Sequence, residues 1–245
     1  MNWYKISQSN PYTQAVETKD LATAQDLVDQ KAQDSGYTIP AFHTTDNMDF
    51  TVFRTSGLSA HFGSSKAAQD REISLTDFSK QIGRPVKQHR LLRLYLSLHN
   101  PLRIPDMASL EDISGRLMNE ILEEMDDEEK RIYEETGEYR GESIHVRRWE
   151  GDEDVQLTLL EMGIINIDEF EDMRDYTKGQ LTNFLKSEGY DGIVYKNDVE
   201  GGGDDSYIIF DPNQVKMADP ITRDDGGNFV PLSQRFDSNN PDIRF

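Results

Sequence analysis

Two histidines and one acidic, glycine-rich loop are the residues whose types and placement could carry chemistry. His43 closes a β-leaning run and is followed by Thr44 and Thr45. His61 sits in Ser59-Ala60-His61-Phe62-Gly63-Ser64-Ser65. The loop Asp198-Val199-Glu200-Gly201-Gly202-Gly203-Asp204-Asp205 offers four carboxylates. Imidazoles and carboxylates are the groups here that can accept and donate protons. Other chemistries fit less well. There is no cysteine and no His-x-x-x-His pair, which argues against a zinc site. There is no Gly-x-Ser-x-Gly elbow for a serine nucleophile. The glycine run lacks a Gly-Lys-Ser/Thr ending and leads into a strand, so it is not a phosphate loop. It reads instead as a hairpin-like loop presenting acids. His99 and His145 are given structural or charge-balancing roles, and Arg90 and Arg93 are read as solvated.

The elements that must position these groups follow from periodicity. Leu21, Ala24, Leu27, Val28 and Ala32 recur at helical spacing, so 21–34 is expected to be a helix stopped by Gly36. Residues 37–45 lean towards strand, with Pro40 suited to an edge. Residues 50–57 read as a loop, 58–63 as a short strand, and 65–71 as a helix capped by Ser64 or Ser65. The alternating leucines of 91–98 predict a buried central strand. Residues 192–195 and 206–210 are two short strands flanking the acidic loop. Asp211-Pro212-Asn213-Gln214 and 224–228 are turns. The tail from 231 is polar, with apolar punctuation at Leu232, Phe236, Ile243 and Phe245.

Four blocks, in order, resemble those of ADP-ribosyltransferases. Ala41-Phe42-His43-Thr44-Thr45 resembles the first-strand His-Gly-Thr motif. Ser59-Ala60-His61-Phe62-Gly63-Ser64, with Ala67 and Ala68, resembles the Gly-x-Tyr-Phe strand and its helix. Gly189-Tyr190-Asp191-Gly192-Ile193-Val194-Tyr195 resembles the penultimate strand, and Ser206-Tyr207-Ile208-Ile209-Phe210-Asp211-Pro212-Asn213-Gln214 the last, with its Asp-x-x-Gln turn. The flanking segments look like those of the ADP-ribosyltransferase domains in polyvalent proteins of phages and mobile elements.

The resemblance implies an α+β fold whose split antiparallel β-sheets form an NAD cleft. It divides the chain into an N-terminal half (1–105), an acidic, mainly helical insertion (106–180) and a C-terminal half (181–245). It implies cleavage of the nicotinamide–ribose bond of NAD, the co-substrate, and transfer of ADP-ribose to a host macromolecule. His43 would bind the nicotinamide-side ribose, helped by Thr44 or Thr45. His61 stands where many members have a stacking Tyr, and Phe62 follows it. Ser64 would cap the helix whose N-terminus helps hold the pyrophosphate. Ser206 stands where many members have the catalytic Glu. A hydroxyl cannot stabilise a cation by charge, so Glu200 is the favoured replacement carboxylate and Asp205 the second.

The formal net charge is −20. Residues 106–175 hold 24 acids and 7 bases, and the rest of the chain is close to neutral. The charge disfavours a plain nucleic-acid binder and an anionic membrane surface. It favours a host protein over nucleic acid as acceptor. No apolar run is long enough for a signal core or a bilayer span, so a cytoplasmic location is expected. In the acidic segment, Leu117, Ile121, Leu122 and Met125 make one helical stripe. Met162, Ile164, Ile165, Ile167 and Phe170 could pack on the core. Two other functions stay open. One is a non-catalytic acidic binder or DNA mimic acting through residues 106–175. The other is NAD hydrolysis to free ADP-ribose.

Overall fold

The computed structural model describes residues 10–55, 58, 60–104, 125–136, 138–139, 142–143, 156, 158–160, 162–166, 169 and 178–245. The fold is mixed α+β, built on a three-stranded antiparallel sheet and a four-stranded mixed sheet. In chain order the elements are α1 (Pro11–Thr18), α2 (Leu21–Asp34), β1 (Ile39–Thr45), β2 (His61–Phe62), α3 (Ser65–Gln81), β3 (Arg90–Leu96) and β4 (Pro101–Ile104). There follow α4 (Asp127–Thr136), the small hairpin β5 (Glu138–Tyr139) and β6 (Glu142–Ser143), α5 (Lys178–Ser187), β7 (Gly192–Asn197), β8 (Asp204–Ile209) and β9 (Val215–Met217).

The first sheet has the order β1-β3-β9, the second β2-β8-β7-β4. Leucine alternation explains the centre of the first. Leu92, Leu94 and Leu96 are buried, whereas Leu91 on the other face is exposed. Pro40 lies on β1, an edge strand, where its missing N–H costs no ladder bond. In the second sheet β7 and β8 pair antiparallel across the glycine-rich loop, as expected of a hairpin. The expected turn at Asp211 is a 3-10 turn closed by a capping box with Gln214.

Three apolar clusters hold these layers. Helix α5 packs Leu181 and Leu185 on Ile193 and Ile208 of the second sheet. Leu159 and Ile165 join that cluster and Ile164 packs against it, so the end of the acidic segment returns to the core, while Met162 stays exposed. Phe53, Phe62 and Ile243 pack with the first sheet's leucines. Helices α1 and α2 bury Tyr12, Ala24, Val28 and Ala32 with Phe236 of the tail. Helix α2 has the expected bounds, with an Asp20 N-cap and Gly36 at φ +84° just past its end.

Three expectations are corrected. The second sheet is not wholly antiparallel, because β4 pairs parallel to β7. The strand expected over 58–63 is only two residues long, because Leu58 adopts φ +54° and cannot belong to an extended run. The helix expected over 65–71 continues for 17 residues to Gln81. The stripe Leu117, Ile121 and Leu122, as well as His145, Ile167 and Phe170, lies outside the described residues. Among the described residues, no helix is long and apolar enough to cross a membrane.

Candidate functional site

The two sheets meet at one seam. Phe42 N–H donates to the Gly63 carbonyl at 2.8 Å, and Gly63 N–H returns a bond to the Phe42 carbonyl at 3.0 Å. This brings the end of β1 beside β2 and the start of α3. Ser64 caps α3 by accepting from Ala67 N–H at 3.1 Å. Thr44 Oγ1 donates to the Ala68 carbonyl at 2.6 Å, fastening β1 to the helix. A cavity of about 830 Å³ opens at this seam, a size suited to a cofactor-sized ligand.

Strand pairing decides which side chains face it. Tyr195 lies directly across from Ser206, so the two share a face, and Asn197 is two residues further on the same side. His61 comes from the neighbouring β2. Ser206 is 2% exposed, and its Oγ accepts a bond from Asn197 Nδ2 at 3.3 Å. Asn197 Oδ1 in turn accepts from the Glu200 N–H at 2.8 Å. Gly201 N–H donates to the Asp70 carboxylate at 2.9 Å, and Asp70 also pairs with Lys66. The acidic loop is thus pinned on one side to β7 and on the other to α3. Gly201 permits this approach: at φ +84° it lies 3.0 Å, measured from where a Cβ would stand, from the Ala67 Cβ. The outcome is that the Glu200 carboxylate lines the cavity, 3.4 Å from the Arg71 guanidinium.

The two histidines are held as neutral bases. His43 Nδ1 is 2.8 Å from the His61 carbonyl, which can only accept, so Nδ1 carries the proton and Nε2 is left as an acceptor. Phe53 meets the His43 ring edge-on at 5.0 Å, and Phe62 lies 5.5 Å away. Loss of hydration among these rings lowers the His43 pKa. The bond to His61 opposes this, and the Arg71 charge adds to it. His61 is solvent-accessible at the cavity mouth, yet the surrounding walls and the nearby Arg71 lower its pKa to about 4. Its Nδ1 lies 3.1 Å from the Tyr195 hydroxyl. Arg71 therefore acts electrically on His43, His61 and Glu200 together.

Of the residues nominated by sequence, His43, Thr44, Thr45, His61, Phe62, Glu200 and Ser206 all line this one cavity. Two do not. Ser64 is engaged in capping α3 and does not line it. Asp205 is turned to the opposite face of β8, paired with Arg103 at 3.0 Å and Lys196 at 2.8 Å, which hold its pKa down to about 2. Adjacent residues of a strand point to opposite faces, so Asp205 and Ser206 cannot serve one site. Arg71, Tyr195 and Asn197 were not foreseen. The signals existed: Arg71 is one turn beyond Ala67 on the same helical face, and Tyr195 and Asn197 alternate along β7. Comparison of the chain with protein-family models, with curated proteins and with solved structures finds no match.

Proposed function

We propose that the protein is an NAD-dependent mono-ADP-ribosyltransferase of the kind found in phage and mobile-element polyvalent proteins, its two sheets forming the family's split NAD cleft. The observation that carries this reading is the convergence of His43, Thr44, Thr45, His61, Phe62, Glu200 and Ser206, drawn from four separated blocks, on one cavity. The chemistry asks for that set. Neutral His43 offers Nε2 to a ribose hydroxyl. His61 offers a flat surface to the nicotinamide, and buried Phe62 backs the His43 ring. The bond from ribose C1′ to the nicotinamide nitrogen breaks with its electron pair going to the pyridinium, which leaves as neutral nicotinamide. The sugar passes through an oxocarbenium-like state, as in glycoside cleavage. Glu200 supplies the negative charge that stabilises it and accepts a hydrogen bond from the ribose 2′-OH. Ser206, hydrogen-bonded to Asn197, contributes a hydroxyl beside it. A nucleophile of the acceptor then attacks C1′ and gives up its proton.

The acceptor fits a host protein better than a nucleic acid, given the acidic segment. The test is nicotinamide release from NAD together with transfer of labelled ADP-ribose in a host lysate. Wild type should do both, and His43→Ala and Glu200→Gln should each lose at least a hundredfold in rate. Release of nicotinamide with only free ADP-ribose as product would instead make it an NAD glycohydrolase. Binding of a basic partner through residues 106–175, with no nicotinamide release, would make it an acidic binder.

A further inference from the structure

Helix α3 forms one long wall of the cavity, and its chemistry changes along its length. Ala67, Arg71, Leu75, Phe78 and Ile82, the residue that caps α3, recur every three or four residues and so share one face. At the N-terminal end this face meets Gly63, Ser206 and the Glu200 loop, a region rich in hydrogen-bonding groups. About 6 Å further along the axis stands Arg71. About 10 Å beyond it lies Phe78 and about 16 Å beyond it Ile82, 58% and 43% exposed, with half-buried Leu75 between Arg71 and Phe78. Arg84 and His89 line the cavity at this outer end. Lys87, also there, is paired with Asp46. Arg84 has no ion pair among the described residues, so its guanidinium is available to stack or to bind an anion.

We infer that the dinucleotide lies along α3, with its adenosine half seated on Leu75, Phe78 and Ile82 and its pyrophosphate at Arg71. The inference rests on the NAD reading above and adds the ligand's direction and the residues that read its far end. Three chemistries follow one another along the helix: hydrogen-bonding groups, a cation, and an apolar wall with a second cation. The same order runs along the ligand, from ribose with its hydroxyls, through pyrophosphate, to a flat purine. A purine is an apolar plate with a π-face, which suits Phe78 on one side and the Arg84 guanidinium on the other. It also accounts for two of the three large apolar side chains exposed along this helix, Ile73 lying off the cavity face. When pyrophosphate takes up Arg71, the 3.4 Å contact to Glu200 is relieved and that carboxylate is freed for the ribose.

Calorimetric titration with NAD, ADP-ribose and nicotinamide mononucleotide tests this on the full chain. The mononucleotide has the nicotinamide riboside and one phosphate but no adenosine. Phe78→Ser should weaken NAD and ADP-ribose roughly tenfold and leave the mononucleotide within about twofold. Arg71→Gln should weaken all three. Phe78 is exposed, and an unchanged melting curve confirms that its variant folds. Unchanged NAD affinity in Phe78→Ser would overturn the inference, as would an equal loss for the mononucleotide. So would intact NAD binding with lost labelling of acceptors, which would give the patch to the acceptor. Failure of the NAD reading is separate. A wild type that binds ADP-ribose but releases no nicotinamide refutes the activity, while the Phe78 comparison on ADP-ribose still decides the orientation. A wild type that binds no adenosine-bearing probe overturns both.

Discussion

Lys216 is a fully buried lysine that ties the C-terminal tail to β9, and its replacement by methionine has a calculable effect. Its ammonium donates to the carbonyls of Asn240 and, at 3.0 Å, Asp242. Burial lowers its pKa to about 8, against the partial help of Asp237 and Asp242. In the unfolded chain the pKa returns to about 10.4. Between these values the unfolded state binds more protons than the folded one, so stability rises with pH across that window. Integrating from pH 7.5 to pH 9.5 gives a gain of about 2 kcal/mol. Tyr37 and Tyr95 oppose this only at higher pH. Their pKa values are raised to about 12, so they lose stability for the fold only as pH climbs above the ordinary tyrosine value of about 10. Urea unfolding at pH 7.5 and 9.5 is the assay. Wild type should gain about 2 kcal/mol, and Lys216→Met, which has no titrating group at this position, should show a flat profile. The consequence reaches the cavity, since Ile243 N–H donates to the Thr51 carbonyl and Phe53, two residues on, backs His43. A wild type whose stability is flat over this range, or a variant with the same slope, would show that Lys216 does not carry this pH dependence.

Other outcomes follow from the seam. Gly63→Ala places a Cβ 2.9 Å from the Ala67 Cβ and the Ser206 Oγ, which should cost about 1–3 kcal/mol and lower the melting temperature by roughly 2–10 °C, with NAD affinity falling in parallel in a binding titration. Asp205→Ala breaks two exposed ion pairs on the far face of β8, so stability should change by under about 1 kcal/mol and nicotinamide release should stay at the wild-type rate. Because burial lowers the pKa of His43 and takes that of His61 down to about 4, nicotinamide release measured against pH should keep its plateau further into acid than the ordinary imidazole value of about 6.5 would allow.

Much of the scaffold was legible because burial and periodicity agree. Helix α2 buries Ala24, Val28 and Ala32 at helical spacing and stops at Gly36, so its bounds were readable. Strand β3 has its leucines on one buried face, and the glycine loop had to connect two strands. The full length of α3 was not legible, because Ile73, Phe78 and Ile82 form no buried stripe and the fully buried residues of the helix, Ala67 and Ala68, stand in its first turn. The end of the strand at Leu58 depends on a positive φ that no apolar residue announces. At the site, Glu200 and Ser206 were nominated only by the resemblance of their blocks to a known family, and strand alternation would have excluded Asp205 had its strand been extended by two residues. Arg71 and Asn197 gain their meaning only from contacts across the chain, to Glu200 and Ser206. The buried setting of Lys216 depends on a tail that returns from 24 residues away.

On the proposed function, His43 and Glu200 act together on NAD in this cavity. Single-turnover release of nicotinamide from labelled NAD by wild type, His43→Ala and Glu200→Gln tests it most directly. Wild type should release nicotinamide, and Glu200→Gln should lose at least about a hundredfold in rate with NAD affinity nearly unchanged, because the carboxylate acts mainly on the developing cation. No release by wild type, or release by Glu200→Gln at the wild-type rate, would contradict it.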